Sequence, residues 1–281
     1  MKFKTLFAAV ALGALATSAS FAAADKKSVV AIEQAVAGSW RSADAKERDA
    51  FRHPVDALEF WGLKPGATIL EIQPGGGWWT EILAPFARAN KGEFYATAAD
   101  LGDPKLSENA KKGRADFAAK YSDVAVYGKV NLVNWGGNAA PLPANKFDFV
   151  VLTRGFHGWQ RGGSVDKNLA NVFQATKPGG VLAIEQHRAK ADQDPSVFNG
   201  YVPEKTVIDA VEKAGFKLDG KSEINANAKD TKDHPFGVWT LPPTRQSSED
   251  GKPVDPAFDR AKYDAIGESD RMTLRFVKPK K

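Results

Sequence analysis

The sequence contains no cysteine. That excludes disulfides, thiolate metal sites and thiol nucleophiles, so the fold must rest on non-covalent contacts. Histidine is sparse, with four residues, His53, His157, His187 and His234. A metal set from His157, His187 and His234 with Asp233 or Glu185 is conceivable, because imidazole and carboxylate suit zinc, yet no closely spaced histidine pair supports it. Beyond the first two dozen residues, no apolar run approaches the roughly 20 residues that span a bilayer. The formal charge of +5 is a mild excess. No basic stripe with interleaved aromatics accompanies it, which argues against a nucleic-acid partner.

The first residues have an anatomy of their own. Lys2 and Lys4 precede an apolar stretch from Leu6 to Ala16, and small residues at Ser20, Ala22 and Ala24 offer cleavage positions. This is the make-up of a secretory signal peptide over residues 1–24. It predicts a periplasmic or secreted protein with no stable membrane anchor after cleavage.

Apolar spacing near 3.6 residues predicts helices over Val29–Gly38, Ala43–Phe51 and Val55–Gly62, an N-terminal helical cap over residues 25–66. Ala67–Ile72, ATILEI, is an almost unbroken apolar run, as expected of a strand buried on both faces of a parallel sheet. An alternation follows. Helices are expected over Thr80–Asn90, with a kink at Pro85, and over Lys105–Tyr121, Val165–Thr176 and Pro203–Gly215. Strands are expected over Glu93–Ala98, Val124–Val130, Phe147–Arg154, Gly180–His187 and Met272–Lys278. Strands separated by helices give a doubly wound α/β sheet with helices on both faces. Ala189–Gly200 and Lys229–Glu268 read as loops, the second long enough to be a lid or a loosely structured insert.

The stretch LEIQPGGGWWTEIL, Leu70–Leu83, places glycines between a strand and a helix. In open α/β sheets ligands bind at the carboxyl ends of the strands, and glycine lets a ligand approach the backbone. A dinucleotide fingerprint fails on spacing, because its third glycine falls on Thr80 or its middle one on Trp78. A phosphate-binding loop fails because no Gly-Lys-Ser/Thr follows. What fits is an acid at the strand end, Glu71, with Gly75, Gly76 and Gly77 beyond it.

This pattern resembles the first motif of class I S-adenosylmethionine-dependent methyltransferases, with Gln73 in place of the first glycine. NKFDFVVLTRGFHGW resembles their fourth motif, ATKPGGVLAIEQH the hairpin into their fifth strand, and AVEKAGFKL the approach to their sixth. RHPVDALEFWGLKPG, GGGWWTEILAPF, DHPFGVW and DRMTLRFVKPKK are similar to a bacterial family of exported methyltransferases. The resemblance implies a seven-stranded, mostly parallel sheet over residues 67–281 and S-adenosylmethionine as cofactor. It also implies that Glu71, Gln73 and Gly75–Gly77 hold the cofactor's methionine part. An acid that accepts from the ribose is usual at the end of the second strand. Ala98 stands there, so Asp100 takes the role only if its loop bends back.

Trp78 and Trp79 adjoin the loop, one expected to pack helix on sheet and the other to face the ligand, with Trp78 taken as the cofactor contact. Asn134 and Trp135, expected just past the third strand, are candidates for ribose and adenine. His157 and His187 sit at the carboxyl edge, where histidine can serve as a general base. Arg154 either holds an anionic substrate group or pairs with Glu185. The reading is an exported methyltransferase with a small-molecule acceptor and catalytic residues His157, Arg154 and His187. Its rival is a non-catalytic binding protein on an altered methyltransferase fold.

Overall fold

A computed structural model describes residues 25–194 and 196–280; the signal peptide expected over residues 1–24 lies outside the described residues. The elements run α1 (Lys26–Val36), α2 (Ala43–Glu47), α3 (Asp49–Arg52), α4 (Pro54–Trp61), β1 (Thr68–Ile72), α5 (Thr80–Ala89), β2 (Glu93–Ala99), α6 (Glu108–Lys120), α7 (Val124–Tyr127), β3 (Val130–Trp135), β4 (Phe147–Thr153), α8 (Phe156–Arg161), α9 (Val165–Ala175), β5 (Thr176–His187), α10 (Glu204–Lys213), β6 (Lys217–Ser222), α11 (Arg260–Asp264) and β7 (Arg271–Val277). A short 3₁₀ turn covers Gly237–Thr240.

The sheet is seven-stranded, in the order β3-β2-β1-β4-β5-β7-β6. β1 to β5 are parallel, and β7 runs antiparallel between β5 and β6. Order reverses between β1 and β4, which is where such sheets open a ligand crevice. Side chains alternate between faces. Ile69 and Glu71 point to the side covered by α1, α4 and α5, and Leu70 and Ile72 to the side covered by α8, α9 and α10. The cap is bound to the sheet by specific bonds. Trp61 Nε1 donates to the Leu274 carbonyl at 3.1 Å, and Arg275 Nε donates to the Trp61 carbonyl at 3.0 Å.

Three expectations need correction. Val124–Val130 is not a strand: Asp123 caps a helical turn by accepting from the Ala125 amide, and left-handed Gly128 ends it. The third strand begins at Val130, so Asn134 and Trp135 lie within it rather than past it. The second helix is broken at Arg48, which ends α2 and precedes α3. The long loop is anchored rather than loose. Buried Asp230 accepts from Tyr201 Oη at 3.0 Å and the Asp270 amide at 2.8 Å, and pairs with His234 Nε2 at 2.8 Å.

Candidate functional site

The glycine loop leaves β1 at the point where strand order reverses. Gln73 adopts φ +50°, a left-handed conformation that glycine takes more readily. It is held there from two sides: its amide donates to Thr97 Oγ1 at 2.7 Å, and its Oε1 accepts from Trp159 Nε1 at 2.7 Å. The three glycines are not equivalent. A Cβ at Gly75 or Gly76 would meet nothing within 4 Å, whereas one at Gly77 would lie 1.9 Å from Tyr121 Oη. That hydroxyl donates to the Gly77 carbonyl at 3.0 Å. Gly77 is therefore required by the fold, and the space over Gly75 and Gly76 is free for a ligand.

Glu71 is buried and accepts from Thr80 Oγ1 at 2.6 Å. Burial raises its carboxyl to about 7, against the Thr80 hydrogen bond and the charge of Arg154. It ties the strand end to the start of α5. The two tryptophans have different surroundings. Trp79 is sealed in the core against Trp61, with ring centroids 5.5 Å apart. Trp78 forms part of a cavity wall, and its Nε1 donates to the Ala45 carbonyl at 2.8 Å.

Two cavities meet at the loop, and Gln73, Pro74 and Gly75 line both. The first, of about 730 Å³, lies over the ends of β1, β2 and β3, walled by Ala98, Ala99, Arg114, Trp135 and Trp159. The Trp135 and Trp159 rings are 5.9 Å apart and inclined by 31°. β2 extends to Ala99, so Asp100 follows the strand end directly, and its side chain stands outside the cavity lining. Its Oδ1 accepts from Asn134 Nδ2 at 2.8 Å, and Asn134 Oδ1 accepts from Arg114 Nη1 at 2.7 Å.

The second cavity, of about 580 Å³, lies beneath the cap and over the ends of β4 and β5. His157, His187 and Arg154 all face it, as do Arg48, Arg52, Trp239 and Glu268. His157 sits on the helical turn α8, just past β4. Gln186 Nε2 donates to the Gly200 carbonyl at 3.1 Å, which fixes the amide, and lies 3.2 Å from His157 Nδ1. His157 Nδ1 therefore accepts, and the neutral ring carries its hydrogen on Nε2. In that form Nδ1 is committed to Gln186 and Nε2 is the ring nitrogen left for other contacts. Burial lowers its pKa against the Gln186 bond, with Arg154 adding to the fall. Burial also lowers His187 well below the ordinary histidine value, reinforced by His157 and Arg154. Both rings are neutral at pH 7. His187 Nδ1 is 2.5 Å from Ser269 Oγ.

Arg154 pairs with Glu268 rather than with the Glu185 side chain, Nη1 to Oε2 at 3.9 Å, while the Arg154 backbone amide donates to the Glu185 carbonyl at 2.7 Å. Glu268 also takes Arg48 Nε at 2.8 Å, Arg52 Nε at 2.9 Å and Arg271 Nη1 at 3.0 Å. Burial would raise its carboxyl, but Arg271, Arg52, Arg48 and Arg154 outweigh that and hold it at about 2. Sequence reasoning missed Arg48, Arg52 and Glu268. The one available signal was the spacing of Arg48 and Arg52, four apart on a helical pattern. Among the described residues, no group of three or more His, Cys, Asp and Glu is placed to hold a metal. His234 is paired with Asp230 and packs against Tyr263.

Comparison with known proteins agrees with this architecture. A family profile described as a methyltransferase domain matches residues 70–184. The ubiquinone/menaquinone biosynthesis C-methyltransferase of Shewanella halifaxensis is 29% identical over 145 residues, covering 51% of this chain and 52% of that protein. Its counterpart in Shewanella pealeana is 30% identical over 127 residues, covering 45% of each. The chain thus spans about half the length of the curated relatives it matches. Among solved structures, the [4+2]-cyclase SpnF aligns with a TM-score of 0.52 and 16% identity, over 90% of this chain and 93% of that one, a likeness of fold. Residues 70–184 thus match a methyltransferase domain, and the seven-stranded sheet that carries them has the fold of S-adenosylmethionine-dependent methyltransferases.

Proposed function

We propose that this chain is an exported S-adenosylmethionine-dependent methyltransferase acting on a small-molecule acceptor. The observation that carries the reading is the open space over Gly75 and Gly76 at the junction of the two cavities. One cavity suits a nucleoside and the other an acceptor, and both have volumes typical of small-molecule sites. The residues fit the cofactor. Trp135 offers a ring face to adenine, and the Gly75–Gly76 backbone admits the methionine arm, while Asp100 and Asn134 stand outside the cavity lining and brace Arg114, which lines it. Trp78 closes the far end of that arm.

S-adenosylmethionine held there would supply a methyl group on a sulfonium for in-line transfer to a nucleophile, with sulfur keeping the electron pair of the broken S–C bond. The chain's own contribution is alignment and exclusion of water. Val238 and Trp239 in the long loop, with Pro242–Thr244, wall the acceptor cavity from solvent. His157 offers its Nε2 hydrogen to the acceptor, and His187, pinned by Ser269, flanks it at a ring distance of 5.8 Å.

Calorimetric titration of the chain from Ala23 onward with S-adenosylmethionine and S-adenosylhomocysteine tests the cofactor site. A dissociation constant on the order of micromolar for either is expected, and Gly76→Asp should abolish it with little change in folding. No heat with either ligand, or undiminished affinity in Gly76→Asp, overturns the assignment and favours a non-catalytic binding protein. Export is tested by fractionating cells that express the chain with a C-terminal tag. Full-length chain confined to the cytoplasm refutes it.

A further inference from the structure

The cavity under the cap contains more positive charge than it balances. Arg48, Arg52, Arg154 and Arg271 converge on Glu268, and the second buried carboxylate nearby, Glu185, takes Arg271 Nη1 at 3.0 Å. Four guanidinium groups thus face two carboxylates, an excess of two charges. Lys120 at the far wall is cancelled by Glu81, 2.9 Å away, and Asp44 lies exposed at the rim. Both cavity histidines are neutral near pH 7 and add nothing.

Arg52 is the decisive residue. Its side chain is 1% exposed and its Nε is committed to Glu268, yet Nη1 and Nη2 are buried without a hydrogen-bond partner. Unpaired donors on a buried cation are among the costliest arrangements in a protein. The guanidinium lies over the Trp78 ring, 4.7 Å from its centroid, which holds the plane in place at the cavity wall. Arg154, also on the cavity wall, makes a long 3.9 Å contact with Glu268. A guanidinium with two parallel donors matches an oxyanion in bidentate geometry.

We propose that this cavity recognises an anionic methyl acceptor, whose carboxylate or phosphate is held by Arg52 together with Arg48 and Arg154. The inference rests on the methyltransferase reading and names its substrate class. The cofactor alone does not supply the missing charge, because S-adenosylmethionine carries one carboxylate against an ammonium and a sulfonium. One stretch of the wall, Val238, Trp239 and Pro242–Pro243, is apolar, so the acceptor joins an anionic group to a less polar body.

The test is calorimetric titration of the full chain with inorganic phosphate and, separately, with benzoate, each with and without saturating S-adenosylhomocysteine. At least one probe should bind, with affinity unchanged within threefold by S-adenosylhomocysteine. Arg52→Met and Arg154→Gln should each weaken that probe at least tenfold, while S-adenosylhomocysteine affinity stays within threefold. Stronger binding of phosphate identifies a phosphorylated acceptor, and stronger binding of benzoate a carboxylate. The inference is overturned if neither probe binds or if both variants bind the probe as wild type does. It is also overturned if S-adenosylhomocysteine displaces the probe, because the arginines then belong to the cofactor's own carboxylate. Loss of S-adenosylhomocysteine binding by the wild-type chain would instead refute the cofactor site, a separate result.

Discussion

Gly76 and Gly77 are neighbours in sequence and opposites in role, which a matched pair of substitutions exposes. Gly77 has φ +82°, and a Cβ there would sit 1.9 Å from Tyr121 Oη and 2.6 Å from Tyr121 Cζ. An alanine in the left-handed region costs about 1–2 kcal/mol. Forcing a methyl into packed space costs about 1–3 kcal/mol more. Tyr121 cannot simply swing away, because its hydroxyl donates to the Gly77 carbonyl and its ring meets Tyr127 edge-on at 5.0 Å. Gly77→Ala should therefore lose about 2–5 kcal/mol, or roughly 5–15 °C in Tm for a chain of this length. Gly76→Ala places its methyl in open space at ordinary φ, so its Tm should stay within roughly 2 °C of wild type. On the proposed cofactor placement that methyl meets the ligand, and an overlap of about 1–3 kcal/mol lowers S-adenosylhomocysteine affinity roughly five- to 150-fold. Thermal unfolding followed by circular dichroism, with calorimetric titration of each variant, reads both quantities. Equal Tm losses, or wild-type affinity in Gly76→Ala, would refute the division of the loop into a structural and a ligand-facing glycine.

Glu71→Gln should stabilise the chain at pH 8. The folded carboxyl titrates at about 7 against an ordinary 4.5, so the folded state binds the proton more tightly and stability falls as pH rises through that window. The gain at pH 8 is about 3 kcal/mol in urea unfolding and disappears at pH 4; an equal gain at both pH values contradicts it. Glu268 has the opposite sign: its carboxyl is held at about 2, so its contribution is complete above 4.5 and is lost as pH falls toward 2. Glu268→Gln strips the countercharge from buried Arg52 and Arg271 and should cost about 3–5 kcal/mol at pH 7; a cost under about 1 kcal/mol would show that the arginines do not depend on it. Trp135→Ala removes an aromatic face worth about 0.5–1.5 kcal/mol. S-adenosylhomocysteine should bind roughly two- to tenfold more weakly, and unchanged affinity would move adenine elsewhere.

How much of this was legible in the sequence depended on burial and on distance along the chain. β1, β4 and β5 are central strands covered on both faces, so Ala67–Ile72, Phe147–Arg154 and Gly180–His187 read as apolar runs and were found within a residue or two, except that β5 begins four residues earlier, at Thr176. The edge strands carry weaker signals. β3 is half-exposed along most of its length and interleaved with asparagine, and β6, Lys217–Ser222, alternates lysine with partly buried residues. Valines at 124 and 126 suggested a strand, but Val124 is 67% exposed and the Asp123 cap decides for a helical turn. The glycine loop, being contiguous, could be read residue by residue. The arginine cluster could not, because its members come from residues 48–52, 154 and 268–271, which meet only once the sheet is assembled.

The short helix α8 carries one wall of each cavity. Trp159 reaches into the nucleoside side and holds Gln73, while His157, two residues earlier, faces the acceptor side. A ligand that shifts Trp159 shifts His157 with it, since six residues of helix turn as one piece. If occupancy of one chamber alters the affinity of the other through α8, thermodynamic reciprocity makes the two effects equal. Under the proposed function, release of the spent cofactor and release of the methylated product would then be one coupled event.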